Sequence, residues 1–316
     1  MSGEAGKAGK SERPGSGKRK GFCGSRFPVP GSRIFRLFAA ALFVSVSCPG
    51  LLSAKQTGCL ECHSGLLRDK QGKAIHSPVA AAECLSCHQP VSGKRHPADK
   101  GSIALVIKGA ALCLSCHEDK YKQRFPHGPV AGGSCLFCHD PHSSGNRMLL
   151  KKFGSALCFD CHDRSLANGQ YVHEPVGYGE CTACHDVHGS AYRRLLKQNF
   201  SEAFYLSYSS ANYALCFICH NKEIPLDQRT DTITGFRNGD RNLHYLHINK
   251  ADKGRSCKAC HDPHTAGQER LVKESVPGFG KWDIPMFFTK TATGGTCVVG
   301  CHKPKSYDRK NAADYR

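Results

Sequence analysis

The 316-residue chain contains 44 Lys and Arg against 26 Asp and Glu, which gives a formal net charge of +18. Residues 1–54 hold nine of the basic and two of the acidic residues, so residues 55–316 carry +11. A basic balance is compatible with nucleic acid as a partner, but the sequence has no platform of basic and aromatic residues, so we exclude that class. The 20 cysteines and 18 histidines are the unusual feature of the composition.

Residues 1–54 are typical of a targeting segment rather than of a folded domain. Arg33 and Arg36 precede an apolar run at 37–46, and Leu52-Ser53-Ala54 is suited to signal cleavage. Ten apolar residues are too few to anchor a chain permanently across a bilayer. We therefore expect export, to the periplasm first and otherwise to the outer membrane or the exterior.

Two further expectations concern this segment. Because the leader is long, translation is expected to start near Val29. Cys48 is not expected to carry a lipid, since Ser45 stands where a lipobox prefers leucine and Pro49 follows directly.

The pattern C-x-x-C-H occurs eight times, and a ninth copy at 297–302 has one more residue between its cysteines. In this pattern both cysteines can add to the vinyl groups of a porphyrin, and the adjoining histidine then lies under the iron. The candidate thioether cysteines are Cys59, Cys62, Cys84, Cys87, Cys113, Cys116, Cys135, Cys138, Cys158, Cys161, Cys181, Cys184, Cys216, Cys219, Cys257, Cys260, Cys297 and Cys301. The candidate proximal iron ligands are His63, His88, His117, His139, His162, His185, His220, His261 and His302.

Zinc sites and disulfides are the alternative explanation for paired cysteines. Neither needs a histidine directly after the second cysteine, yet all nine copies have one. The motifs use 18 of the 20 cysteines, and the other two, Cys23 and Cys48, precede the first motif. The sequence therefore favours nine covalently bound haem c groups.

Nine histidines remain outside the motifs, which is one distal ligand for each of nine irons. The candidate distal ligands are His76, His96, His127, His142, His173, His188, His244, His247 and His264. After the start residue only Met148 and Met286 could supply a thioether instead. His142 follows His139 too closely to reach the far face of the same haem, so it is expected to bind a neighbouring one.

The motifs recur in units with a common order. The first three units contain an H-x-P-V phrase, and the second, third and fourth close with C-H-D-x-H, followed by a short basic and apolar segment such as 147–150. The first unit departs in its second half, where His96 lies eight residues after His88, and the fourth carries His244 and His247 in place of the phrase. The predicted boundaries are 1–54 for targeting, 55–110, 111–155, 156–213 and 214–275 for four haem pairs, and 276–316 for the terminal haem. The fourth unit carries an insertion at about 221–243.

Three local expectations follow from this layout. Each closing histidine is expected to serve the other haem of its own pair. The aspartates after proximal histidines, at positions 140, 163, 186 and 262, are expected to be either solvated or capping side chains. The proximal imidazoles are expected to donate to backbone carbonyls.

The fold class follows from the ratio of chain to motifs. Residues 55–316 leave too little chain per motif to build a separate hydrophobic core around each haem. We predict a mostly irregular chain with short α-helices and little or no sheet, a multihaem cytochrome c in which the haem chain is the core.

These phrases resemble the doubled C-x-x-C-H family of multihaem c-type cytochromes, which is common in metal-respiring bacteria. The resemblance covers about residues 57–302 and rests on the H-x-P-V phrases, the C-H-D-P-H closers and their alternation. It implies closely packed haems with bis-histidine ligation, and electron transfer as the activity. A porin association is less expected, because the related porin-bound conduits have ten motifs and this chain has nine.

The ligand count predicts an electron-transfer protein rather than an enzyme, since two imidazoles per iron leave no open position for a substrate. The expected partners are quinol-oxidising inner-membrane cytochromes on one side and outer-membrane or extracellular cytochromes on the other. Two alternatives stay open: a multihaem reductase of nitrogen or sulfur oxyanions with one open haem, and a subunit of an extracellular cytochrome filament.

Overall fold

The described part of the molecule comprises residues 58–66, 74–118, 122–278 and 280–315 of a computed structural model. All of these residues belong to one unit of the chain, Ser53–Arg316. The expected targeting segment, with Val29, Cys48 and the apolar run at 37–46, lies outside the described residues. Among the residues described, no helix has the length and apolar character needed to cross a bilayer.

The helices are single turns or little more. The α-helices are α1 Gly58–Cys62, α2 Ser77–Ala80, α3 Ala110–Leu114, α4 Gly128–Ala131, α5 Ser155–Cys158, α6 Glu174–Gly177 and α7 Leu243–Ile248. Three of them, α2, α4 and α6, begin at the H-x-P-V phrases, where the proline lies in the first turn and the histidine before the helix is extended. Proline fits this place because its fixed φ suits a helix start and its missing N–H leaves no donor unpaired.

The first eight motifs lie on short helices or 3₁₀ turns. Motifs one, three and five begin in α1, α3 and α5, while the others open with 3₁₀ turns. The 3₁₀ turns at motif cysteines are Cys84–Ser86, Cys135–Phe137, Cys181–Ala183, Cys216–Ile218 and Cys257–Ala259. The prediction of an irregular chain with short helices is confirmed.

Two-stranded ladders of two or three residues join distant parts of the chain. The pairs are β1 Ala74–Ile75 with β5 Ser143–Ser144, β2 His88–Pro90 with β3 Ile103–Leu105, β4 Phe125–Pro126 with β7 Gly189–Ser190, β6 Tyr171–Val172 with β10 Thr265–Ala266, and β8 Arg237–Asn238 with β9 Arg241–Asn242. In three of these ladders, one strand precedes an H-x-P-V histidine and the other follows a closing histidine of the next unit. The ladders therefore fix neighbouring units to each other.

A four-stranded antiparallel sheet in the C-terminal segment departs from the expectation of little or no sheet. Its strands are β11 Ser275–Pro277, β12 Asp283–Lys290, β13 Gly294–Val299 and β14 His302–Asp308, which pair in chain order. Along β12, buried Ile284 and Met286 alternate with exposed neighbours, which is the period of a half-buried strand. The ninth motif lies on this sheet, with Cys297 in β13 and His302 opening β14.

Buried apolar side chains are confined to the last part of the chain. Every buried hydrophobic residue in the described ranges lies between Leu196 and Tyr307, and Val276, Ile284 and Met286 form a small cluster. Earlier in the chain large apolar groups are exposed, as at Phe137 (67%) and Phe153 (81%). The first two units therefore have no packed protein core among their described residues, and the buried apolar side chains begin at Leu196 in the third unit.

The first prediction concerns Asn242, which is 1% exposed and caps α7. Its Nδ2 donates to the carbonyls of Ile224 (2.8 Å) and Asp227 (3.0 Å), and its Oδ1 accepts from the Tyr245 N–H. Asn242→Ala leaves these buried groups unpaired, so we expect a loss of about 3 kcal/mol in the free energy of unfolding. Guanidinium unfolding followed by the fluorescence of Trp282, the single tryptophan, measures it.

Asn221→Ala is the matched control, because Asn221 is exposed and its Oδ1 accepts only from the Glu223 N–H (2.8 Å) among the contacts described. It should cost less than about 1 kcal/mol. Equal losses in the two variants would contradict a special role for the buried amide.

The second prediction concerns the Asp308 carboxylate at the end of β14. It accepts from the backbone N–H groups of Asn311 and Lys310 and from the Thr293 hydroxyl, and the Asn311 bond is the main reason that its pKa falls to about 2. Because folding lowers this pKa, the carboxylate stabilises the fold fully at pH values above its unfolded-state pKa of about 4. This stability is lost as the pH falls towards about 2. Unfolding followed by Trp282 should therefore show a loss of stability in this window that Asp308→Asn abolishes and that Asp231→Asn, at an exposed aspartate, retains.

Candidate functional site

Seven of the nine motif histidines face a histidine from outside the motifs. In each pair the ring centroids are 6.0–6.3 Å apart and the ring planes lie within 8–28° of each other. The pairs are His63 with His96, His88 with His142, His117 with His76, His139 with His188, His162 with His127, His185 with His264, and His220 with His173. The same spacing therefore recurs seven times.

This separation suits one metal atom held between two imidazoles. A bond of about 2 Å from metal to each imidazole nitrogen, with roughly 1 Å from that nitrogen to its ring centre, places the two centroids about 6 Å apart. Aromatic rings in direct contact have centroids about 4.5–7 Å apart, so it is the recurrence of one spacing at seven motif histidines that favours a shared metal. The residues present therefore fit the bis-histidine axial positions of a haem.

The other two motif histidines, His261 and His302, have neighbours in helix α7. Burial, together with the nearby charges of His261 and His247, lowers the pKa of His244 to about 4. Burial also lowers the pKa of His247, with His302 as a neighbouring charge. The α7 histidines thus lie near the eighth and ninth motifs. The Phe236 ring contacts both, with centroid distances of 5.2 Å to His244 and 5.9 Å to His247.

Six of the seven facing pairs cross from unit to unit, whereas His63 and His96 both belong to the first unit. His142 faces His88 of the preceding unit rather than His117 of its own, so the expectation that closers serve their own pair is wrong. His188 and His264 likewise reach back to the second motif of the unit before them. The H-x-P-V histidines at positions 76, 127 and 173 instead reach forward to the first motif of the next unit. The ladders β1–β5, β4–β7 and β6–β10 produce this exchange, because they pair strands of adjacent units.

The aspartate in each C-H-D-x-H closer holds the turn that presents the closing histidine. Asp140 Oδ1 accepts from the His142 N–H at 2.9 Å, and Asp262 Oδ1 accepts from the His264 N–H at 2.9 Å. Asp186 does the same for His188 at 3.2 Å. Asp163 caps the 3₁₀ turn Arg164–Ala167 through the Ser165 N–H, which lowers the pKa of its carboxyl. Of the two roles expected for these aspartates, the structure shows the capping one.

Three proximal imidazoles donate to carbonyls that sit in a strained turn. The Nδ1 atoms of His139, His185 and His261 lie 2.9 Å from the carbonyl oxygens of residues 148, 194 and 270, respectively. Each of these residues and the one after it has a positive φ between 55° and 61°. None of the six is a glycine, and a left-handed conformation costs such residues about 1–2 kcal/mol each. Strain repeated at three equivalent places indicates a functional constraint on the carbonyl.

The sequence did not reveal these turns. Met148-Leu149, Arg194-Leu195 and Arg270-Leu271 lack the glycine or asparagine that favours two consecutive left-handed residues. The only signal in the sequence was that a similar basic and apolar segment follows each closer. Such a repetition does not by itself indicate a backbone conformation.

The H-x-P-V imidazoles are oriented by the closers of the next unit. Nδ1 of His76 donates to the Pro141 carbonyl, that of His127 to Val187 and that of His173 to Pro263, each at 2.9 Å. The N–H of the same histidine donates to the carbonyl of the closing histidine, at 3.0 Å from His76 to His142. Two imidazoles that face different motifs are thus held by one short stretch of backbone.

The motif cysteines follow one another through the structure in chain order. Burial and the neighbouring Cys135 thiol raise the pKa of Cys113, and burial with Cys181 raises that of Cys158 to about 11. Within the first and fourth units, Cys59 neighbours Cys84 and Cys216 neighbours Cys257. Between units the neighbours are Cys87 with Cys113, Cys138 with Cys161, Cys184 with Cys219, and Cys260 with Cys297. All 18 motif cysteines are free of disulfides, as the thioether interpretation requires.

A continuous cavity of about 3430 Å³ connects motifs three to nine. Its walls include the motif cysteines and histidines together with apolar side chains such as Leu136, Phe137 and Leu271. Its size exceeds the roughly 300–1,000 Å³ of an ordinary ligand pocket several-fold. The chain therefore surrounds room for several large apolar groups beside the cysteines.

Comparison with known proteins agrees with this geometry. A family model for the doubled CXXCH motif matches residues 76–122, 127–167 and 173–224. Each match begins at an H-x-P-V histidine and contains two motifs. Together the matches cover less than half of the chain. No curated protein matches this chain.

The matched motifs indicate covalently bound c-type haem, because thioether attachment is the chemistry that C-x-x-C-H provides. The doubled CXXCH motif, repeated three times along the chain, is consistent with a multihaem c-type cytochrome that takes part in electron transfer.

Proposed function

We propose that this chain is a nonahaem c-type cytochrome that carries electrons along a row of bis-histidine haems. The observation that carries the proposal is the set of seven imidazole pairs with centroids 6.0–6.3 Å apart. Each pair joins a motif histidine to one outside the motifs, and the α7 histidines complete the set of nine. When bound, haem c supplies a reversible one-electron couple at each site.

The ligand geometry supports a carrier rather than an enzyme. Haem enzymes that bind small molecules keep one axial position free or weakly held. Here each motif histidine has an imidazole opposite or near it, and a hydrogen bond from Nδ1 to a backbone carbonyl holds the rings of His139, His185 and His261. His139, for example, is held by the Met148 carbonyl, and its partner His188 by the turn of Asp186. Two neutral imidazoles favour the ferric state relative to a histidine and methionine pair, so negative midpoint potentials are expected.

The order of the motif cysteines supports a continuous row of sites. Neighbouring thiols link motif one to two, two to three and so on to nine, without a break in the described residues. We infer that electrons enter at one end of this row and leave at the other. The excess of lysine and arginine in residues 55–316 would offset the propionates of the bound haems.

The route that this proposal implies lies outside the cytoplasm. Export through the 1–54 segment would bring the chain to the compartment in which c-type haems are attached. Quinol-oxidising membrane cytochromes are then the proposed donors, and outer-membrane or extracellular cytochromes the proposed acceptors.

The third prediction is the number of haems. Purified mature protein should contain nine haems per chain, measured as the ratio of reduced pyridine haemochrome to protein and checked by intact mass. Six or seven haems, or a ninth motif without haem, would contradict the nonahaem proposal while leaving a smaller multihaem cytochrome.

The fourth prediction separates the crossed pairing from pairing within a unit. His142→Ala should convert one site to high spin, and that site should be the haem of Cys84 and Cys87, because His142 faces His88. Electron paramagnetic resonance and carbon monoxide binding to the reduced protein would detect the open position.

His142→Met is the matched control, since a thioether can still ligate the iron and should keep the site low-spin at a higher potential. A high-spin haem at Cys113 and Cys116 in the alanine variant would contradict the pairing. Strong carbon monoxide binding by the unaltered protein would favour a reductase with an open haem.

A further inference from the structure

We propose that Asp140, Asp186 and Asp262 are positioning residues, each of which fixes two axial imidazoles that belong to two different haem sites. The inference deepens the proposed function and rests on its bis-histidine ligation. It assigns these side chains more than the capping of a turn, because the turn they hold is shared by two units.

The first contact acts on the closing histidine. In the first copy along the chain, Asp140 Oδ1 accepts from the N–H of His142 at 2.9 Å and of Ser143 at 3.3 Å. A carboxylate that accepts from the second and third following N–H groups forms an Asx turn, which holds the backbone without help from a helix or sheet. The turn sets the direction in which the His142 ring projects towards His88.

The second contact acts on a histidine from the preceding unit. Pro141 lies inside the same turn, and its carbonyl oxygen accepts from Nδ1 of His76 at 2.9 Å. The His142 carbonyl accepts from the His76 N–H at 3.0 Å. The position of the turn therefore sets the orientation of the His76 ring, which faces His117.

The same construction occurs at the two following junctions. Asp186 holds His188, and the Val187 carbonyl between them accepts from His127. Asp262 holds His264 and Thr265, and the Pro263 carbonyl accepts from His173. Three copies with the same contacts indicate a constructed feature rather than a chance arrangement of one loop.

The chemical consequence concerns the basicity of the axial ligand. A carbonyl that accepts from Nδ1 raises the electron density of the imidazole and favours the ferric state of the iron it binds. Moving the turn would lengthen the bond to His76 and re-aim His142 at the same time. One aspartate therefore tunes two sites, those of His117 and His88, which lie in adjacent units.

The test is Asp140→Ala in the mature haem-loaded protein, read by electron paramagnetic resonance and by spectroelectrochemical titration. We expect two low-spin signals to change their g values and two midpoint potentials to rise, with the haem content unchanged. Asp140→Asn should keep the g values and the midpoint potentials of the unaltered protein, because its amide oxygen can accept the same backbone hydrogen bonds.

Asp163→Ala is the matched control. Asp163 also follows a motif histidine and caps a turn through Ser165, but no closing histidine follows it. This variant should leave the signals of the His88 and His117 sites unchanged. If Asp140→Ala loses haem during maturation, Asp186→Ala provides the same measurement at the exposed copy of the turn.

Each outcome decides the proposal. A change at one site alone, or at neither, overturns it. Equal changes in the alanine and asparagine variants would show that the charge acts rather than the turn, which also overturns it. If the unaltered protein shows no bis-histidine low-spin signals, the proposed function itself fails, and the variants play no part in that conclusion.

Discussion

The distance between two facing imidazoles is the constraint on which this structure depends. Seven pairs keep their centroids within 6.0–6.3 Å although they come from different parts of the chain and are held by different elements. The supporting features all serve this spacing: ladders of two residues between units, Asx turns at the closers and carbonyls presented by left-handed residues. In the first two units these polar contacts take the place of a packed core of apolar side chains among the described residues.

The C-terminal third is built differently. There the insertion at about 221–243 and the terminal sheet supply buried polar and apolar groups, with Asn242 and Val276 each 1% exposed. Asn238 bonds both Asp308 and Ala313, which ties the insertion to the end of the chain. Helix α7, which carries His244 and His247, is fixed by this ordinary protein packing rather than by the ladders used earlier.

The chemistry of the sites was predictable from the sequence, but the pairing was not. The adjacency of histidine to C-x-x-C identifies the attachment sites, and the count of 18 histidines indicates two for each. Which histidine faces which motif depends on contacts such as His76 N–H to His142 carbonyl, 66 positions apart, and no local pattern encodes them. Met148 and Leu149 carry no residue type that favours their conformation. The alternation in β12 was present in the sequence and could have indicated the terminal sheet.

The crossed contacts bear on how such a chain changes length. Consider a stretch from one H-x-P-V histidine to just before the next, such as 127–172. It makes the same kinds of histidine pair with the stretches before and after it as those stretches make with their own neighbours. Its removal would leave His76 facing His117 and would bring His188 to the place of His142 opposite His88. A deletion that is not a whole number of such stretches would instead leave imidazoles without their facing partners. Relatives of this protein should therefore differ by whole steps of two motifs, with the terminal sheet and α7 retained as a fixed end.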